Sequence, residues 1–146
     1  MKRIVCIGNR YRPEDDAGPR VYSLLRGSAL PDGVEAIDGG MSGLDLLASV
    51  ERAERVVFVD CVSGFGRAGE VLVLDPEEVA TAASPRYDHA AGLPYLLRVL
   101  PAVCDGPAPE VIIVGIEGRA DGAAVAAAAE LALKLARGEP VRGGAQ

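Results

Sequence analysis

A short apolar run near the start of the chain stops at Gly8-Asn9 and leads, through a cluster of acids, directly into a helical pattern. The run predicts a buried strand over 3–7, and apolar residues at helical spacing predict a helix over 16–26. A strand followed at once by a helix is typical of a β–α–β unit, from which parallel sheets are built. The acids would then lie at the carboxyl end of a strand, the edge where open α/β sheets bind ligands.

The same alternation of apolar runs and helical patterns continues along the chain. Further strands are predicted over 34–37, 55–59, 70–74 and 111–116. Further helices are predicted to start at Ser42, near Leu93 and at Asp121. Because only a glycine-rich turn separates the third strand from the fourth, we expect these two strands to pair antiparallel. The predicted fold is an α/β three-layer sandwich, with a mostly parallel, twisted sheet of five strands, one of them antiparallel, and helices on both faces.

Length and composition indicate one domain without a nucleic-acid partner or a membrane segment. The chain has 146 residues, a usual size for one domain, which we expect over 1–138 with a flexible C-terminal tail over 139–146. The net charge of −6 argues against a nucleic-acid partner. Cys6, Cys61 and Cys104 lie in or beside apolar runs, as buried, reduced thiols do. With no leader and no apolar run near the ~18 residues of a membrane span, we expect a cytoplasmic protein without a membrane segment.

Two aspartates and the only histidine form the candidate site. Asp15 stands between two other acids, Asp60 ends the third predicted strand, and His89 lies in a polar stretch before a helix. Each also has a simpler explanation. Acids favour helix N-termini, Asp60 could cap the following turn, and a lone histidine is often a surface residue. A buried carboxylate does need a partner, but the pattern alone leaves both explanations open.

Several common chemistries are not supported. The sequence holds no G-x-G-x-x-G after the first strand, no P-loop and no G-x-S-x-G. One histidine excludes an H-E-x-x-H site, so any metal site here would combine carboxylates with an imidazole, a set that suits a divalent ion of borderline hardness. A Cys–His pair with His89 stays open, although no cysteine is predicted in a loop where a nucleophile would be expected.

Four segments, in order, carry a resemblance to a known family. They are Gly8-Asn9 with Asp15-Asp16-Ala17-Gly18-Pro19, Asp38-Gly39-Gly40 with Gly43, Val57-Phe58-Val59-Asp60, and His89-Ala90-Ala91-Gly92-Leu93. Together they resemble the motifs of the hydrogenase maturation endopeptidases, the nickel-dependent processing proteases of nickel-iron hydrogenases. The resemblance covers nearly the whole chain.

The resemblance implies an endopeptidase that removes a short C-terminal extension from a hydrogenase large-subunit precursor after nickel insertion. Asp15, Asp60 and His89 would be the catalytic residues and would contact the metal. Nickel would arrive with the precursor, and zinc or cadmium could replace it in the isolated protein. Glu14 and Asp16 remain alternatives to Asp15 as first ligand.

One departure concerns a loop near the end of the chain. Gly115-Ile116-Glu117-Gly118 stands where many family members carry Gly-Ile-Gln-Pro, which leaves the role of Glu117 open. Two other functions fit the same residues: a non-catalytic module that binds nickel or a partner protein, and a small-molecule hydrolase on the same sandwich. An intact Asp/Asp/His set favours catalysis. A monomer is expected, although the sequence does not fix the oligomeric state.

Overall fold

The computed structural model describes residues 1–40, 46–81, 93–103 and 106–139. Its strands are β1 (Lys2–Ile7), β2 (Val34–Gly40), β3 (Arg55–Val62), β4 (Val71–Leu74) and β5 (Glu110–Glu117). Its helices are α1 (Ala17–Arg26), α2 (Leu47–Val50), α3 (Pro76–Thr81), α4 (Leu93–Val103) and α5 (Gly122–Ala136), with a short 3-10 helix at Pro13–Asp15. The predicted strands are confirmed, with some of their ends shifted. Ser42, Gly43, Cys104 and residues 140–146 of the predicted tail lie outside the described residues.

The strands form one sheet in the order β2-β1-β3-β5-β4. β1 pairs in parallel with β2 and β3, β3 pairs in parallel with β5, and β4 runs antiparallel. Helices α1 and α5 pack on one face of the sheet, and α2, α3 and α4 pack on the other. The predicted three-layer α/β fold, with one antiparallel strand, is therefore confirmed.

The predicted pairing of the third strand with the fourth is wrong. β4 pairs antiparallel with β5, which lies between β3 and β4. β5 is apolar on both faces and matches β3 along its whole length, from Arg55 opposite Glu110 to Val62 opposite Glu117. The four-residue β4 has only one fully buried residue, Leu74, and its Val73 is 44% exposed, which suits an edge position. The connection over 63–70 therefore crosses the carboxyl end of β5.

Two helix starts show how local sequence sets element boundaries. Asp121 caps α5, since its carboxylate accepts a hydrogen bond of 2.8 Å from the Ala124 amide. α3, which the sequence analysis missed, begins with a similar signal: Glu78 Oε1 accepts a hydrogen bond of 3.0 Å from the Asp75 amide. None of the described helices combines the length and apolar character needed to span a membrane.

Candidate functional site

The loop between β1 and α1 holds Asp15 in place through its backbone. The Asp15 carbonyl accepts a hydrogen bond of 2.9 Å from the Asn9 amide, and the Asp15 amide donates one of 2.8 Å to the Arg12 carbonyl. Gly8 has a φ of +149°, and a side chain there would collide with the Asp15 carbonyl. The Gly-Asn pair thus lets the loop fold back against the end of β1, with Asp15 partly buried.

Asp60 lies in β3 near its carboxyl end and is only 3% exposed. It stands opposite Gly115 in β5 and one residue beyond Val59, the partner of Cys6 in β1. By strand alternation its side chain shares a face with Phe58, which packs towards the layer of α2, α3 and α4. Asp60 is therefore a buried carboxylate at the level where β1 ends and the Asp15 loop begins.

The structure brings these two aspartates to one edge of the sheet. The 3-10 helix that ends at Asp15 lies beside β3. His89, the third predicted member, lies outside the described residues. Within the described ranges, His, Cys, Asp and Glu side chains form no group of three that could hold a metal ion. The predicted three-residue site thus stays a prediction, with two of its members placed at the expected edge.

The acids on either side of Asp15 both face arginines. Glu14 lies 2.9 Å from Arg12 Nε, and its pKa is lowered by a hydrogen bond with its own backbone and by Arg12. Asp16 Oδ1 lies 3.7 Å from Arg20 Nη1. Asp16 also occupies the cap position of α1, but its side chain makes no capping hydrogen bond. Helix α1 therefore starts one residue later than predicted, with Asp16 and not Asp15 at its cap position.

The Asp38-Gly39-Gly40 segment, at the end of β2, contacts the loop that holds Asp15. The Gly40 carbonyl accepts a hydrogen bond of 2.9 Å from the Gly8 amide, and Asp38 Oδ2 lies 2.7 Å from Arg10 Nη2. A side chain at position 39 would approach Val5 and Leu46 within 3 Å. These contacts give the segment a positioning role at the edge of the site.

Glu117, whose role the sequence left open, is a second buried acid at this edge. It is 8% exposed and ends β5 opposite Val62. Its carboxylate accepts hydrogen bonds from the amides of three consecutive residues, Gly64, Phe65 and Gly66. The sequence signal was only an acid at the end of an apolar strand, as at Asp60.

Residues 19–132 match the sequence profile of a family described as hydrogenase maturation protease. The chain belongs to this family. The matched residues include Asp60 and His89, whereas Asp15 precedes them. A putative hydrogenase maturation protease from Methanocaldococcus jannaschii is 29% identical over 119 residues, which cover 80% of this chain and 75% of that protein. The hydrogenase 2 maturation protease of Escherichia coli is 28% identical over 116 residues, which cover 77% of this chain and 70% of that protein.

Solved structures agree with this assignment. The hydrogenase maturating endopeptidase HybD from Escherichia coli superposes with a TM-score of 0.69 at 26% identity, covering 92% of this chain and 89% of that one. The maturation protease described here is accordingly a hydrolase on a fold that HybD shares.

The cysteine chemistry of this maturation protease argues against a thiol nucleophile among the described residues. Cys6 and Cys61 are both buried. Burial, together with the charge of Asp38, raises the pKa of Cys6 to about 12. The Cys6 thiol is therefore neutral at physiological pH, and the thiolate is the form that attacks carbonyl carbon.

We expect Cys6 to resist alkylation in the folded protein. Because its pKa is raised, the thiolate fraction at pH 8 falls well below that of an exposed cysteine, and burial also blocks the reagent. Peptide mapping after iodoacetamide treatment, with and without denaturant, measures this. Equal labelling of Cys6 in both samples would contradict the burial described here.

Proposed function

We propose that this protein is an endopeptidase that removes the C-terminal extension of a nickel-loaded hydrogenase large-subunit precursor, through Asp15, Asp60 and His89. The observation that carries the proposal is the buried carboxylate of Asp60 at the end of β3, beside the turn of Asp15. An acidic side chain that is 3% exposed at the edge where α/β sheets bind ligands is typical of a functional group. Membership of the maturation protease family supports the reaction class.

The donor set fits a nickel ion that arrives as part of the precursor. Two carboxylates and one imidazole are ligands that a borderline divalent ion accepts, and they leave positions for groups of the precursor. Zinc or cadmium would occupy the same set in isolated protein. The ion, when bound, supplies Lewis acidity that polarises a carbonyl. The chain itself supplies fixed negative charge: Asp60 on a strand paired on both edges, and Asp15 on a turn fastened by backbone hydrogen bonds.

Asp15 is the proposed first ligand, with Glu14 and Asp16 as alternatives. The carboxylates of Glu14 and Asp16 lie 2.9 Å and 3.7 Å from the guanidinium groups of Arg12 and Arg20, respectively. Metal binding by Glu14 would compete with Arg12, whereas Asp16 Oδ1 is buried and forms no hydrogen bond, so Asp16 stays an alternative. We also propose that the reaction takes place in the cytoplasm, since buried thiols such as Cys6 and Cys61 suit a reducing compartment.

Co-incubation with purified large-subunit precursor tests the proposed function. With nickel-loaded precursor, intact-mass analysis should show a loss equal to the C-terminal extension. The matched control is the same precursor without nickel, which should keep its full mass. No mass loss in either sample would overturn the proposed function. Equal cleavage of both would refute the dependence on nickel, and precursor binding without cleavage would indicate the non-catalytic alternative.

A further inference from the structure

The carboxylate of Glu117 sits in a cradle of backbone amides. Its Oε1 accepts hydrogen bonds from Phe65 at 2.8 Å and Gly66 at 3.0 Å, and its Oε2 accepts one from Gly64 at 2.8 Å. Successive backbone N–H groups that point at one place form an anion-binding nest, and hydrogen bonds to an ionised acceptor are stronger than neutral ones. In this protein the anion is a side chain of the chain itself.

This cradle lies close to Asp60. Glu117 is opposite Val62, two residues after Asp60 on β3. Residues 63–70, here called the crossing segment, run from that point over the end of β5 to β4. The Glu117 backbone also holds the far end of the segment, since its carbonyl accepts a hydrogen bond of 2.7 Å from Gly69 and its amide donates one of 2.9 Å to Glu70.

The crossing segment has few hydrogen bonds besides those with Glu117, and these form a turn in its second half: the Arg67 amide donates one of 2.9 Å to Glu70 Oε1, and the Glu70 amide donates one of 2.9 Å to the Arg67 carbonyl. Six of its eight residues are exposed, and Phe65 is the one apolar side chain of the segment that packs against the buried cluster beneath it. A segment with few buried apolar contacts depends on its hydrogen bonds for order. The three bonds to the Glu117 carboxylate therefore set the path of the first half of the segment.

We propose that Glu117 is a positioning residue for the site. Its carboxylate holds the crossing segment beside Asp60, and the exposed surface of that segment contacts the precursor. The inference rests on the proposed function. Asp60 is held in β3 by its pairing with Gly115, and this pairing does not depend on the position of the crossing segment. A crossing segment that is no longer held in place should therefore weaken precursor binding more than it slows the cleavage step.

Glu117→Gln is the variant that tests this. It keeps the shape but replaces one acceptor oxygen by an NH2 group, which would face a backbone N–H donor of the segment. Glu110→Gln is the matched control, since it removes the same charge from the first residue of β5, where Glu110 is 58% exposed and pairs with Arg55 at the opposite edge. We expect Glu117→Gln to raise KM for the precursor about tenfold or more with kcat within about threefold of wild type, and Glu110→Gln to change neither.

Hydrogen exchange locates the effect. Amides 64–66 should lose protection in Glu117→Gln and keep it in Glu110→Gln, while β3 stays protected in both. Arg67→Ala is a second variant for the case that Glu117→Gln fails to fold, because it truncates an exposed side chain of the segment. We expect it to raise KM about threefold or more.

Three results would overturn the inference. The first is a loss of kcat in Glu117→Gln that tracks the folded fraction with an unchanged KM, as a purely structural role requires. The second is a normal KM while amides 64–66 exchange freely. The third is a normal KM in Arg67→Ala. Failure of the wild-type protein to cleave nickel-loaded precursor would instead overturn the proposed function. The wild-type assay is therefore performed before the variants are compared.

Discussion

Replacing Asp60 by asparagine is expected to lower the rate of precursor processing at least about 100-fold, since removing a group that contacts the reacting centre typically costs that much or more. The substitution keeps the shape of the side chain and most of its hydrogen-bonding capacity while removing the charge. Functional sites commonly hold groups that do not favour the fold, and we expect Asp60 to be such a group. The melting temperature should therefore stay the same or rise.

The control for this prediction is Asp32→Asn, which removes an exposed charge from the turn before β2 and should leave the processing rate unchanged. Asp15→Asn and His89→Ala should lower processing as Asp60→Asn does. If Asp60 is instead a structural carboxylate, the variant should lose about 1–3 kcal/mol of stability, and activity should follow the folded fraction. A destabilised variant with normal specific activity would defeat the assignment of Asp60 to the site.

The order of strands along the chain could be predicted because each strand carries its own local signal. The partner of β4 could not, because a short turn predicts an antiparallel direction but not the strand that is paired. That choice depends on β5, whose apolar residues compete for the place beside β3 from about fifty positions further along the chain. The start of α3 was a local signal, Asp75-Pro76-Glu77-Glu78, and was readable in principle.

In the candidate site, too, features with a local sequence signal could be predicted and features that depend on long-range pairing could not. Asp15 and Asp60 were predicted at the carboxyl edge because Asp15 lies in the loop after one apolar run and Asp60 ends another, and the parallel pairing of β1 with β3 places both there. The contacts of Glu117 could not be predicted, since the amides it accepts from lie 51 to 53 positions earlier. They meet only because the crossing segment passes over β5. Local pattern thus predicts which residues reach the edge, whereas long-range pairing decides what surrounds them.

Gly18→Ala is expected to cost about 3 kcal/mol or more of stability, at the upper end of the effects of overpacking. Gly18 is the second residue of α1 and lies directly on the end of β1. A Cβ built there would lie 2.7 Å from both the N and the C atoms of Ile7 and would collide with its carbonyl oxygen. These are backbone atoms of a strand held between β2 and β3, so they cannot turn aside as a flexible side chain would.

The matched control is Gly122→Ala, a glycine in the first turn of α5 with no atom within 4 Å of the added Cβ. Its stability should be unchanged or rise by up to about 1 kcal/mol, because alanine favours a helix over glycine. Chemical denaturation of both variants measures the difference. Stability of Gly18→Ala within about 1 kcal/mol of wild type would show that α1 can move away from β1. Because Asp15 lies three residues before Gly18, such a movement would also displace Asp15 from β3, and the folded fraction of this variant should process precursor more slowly than wild type.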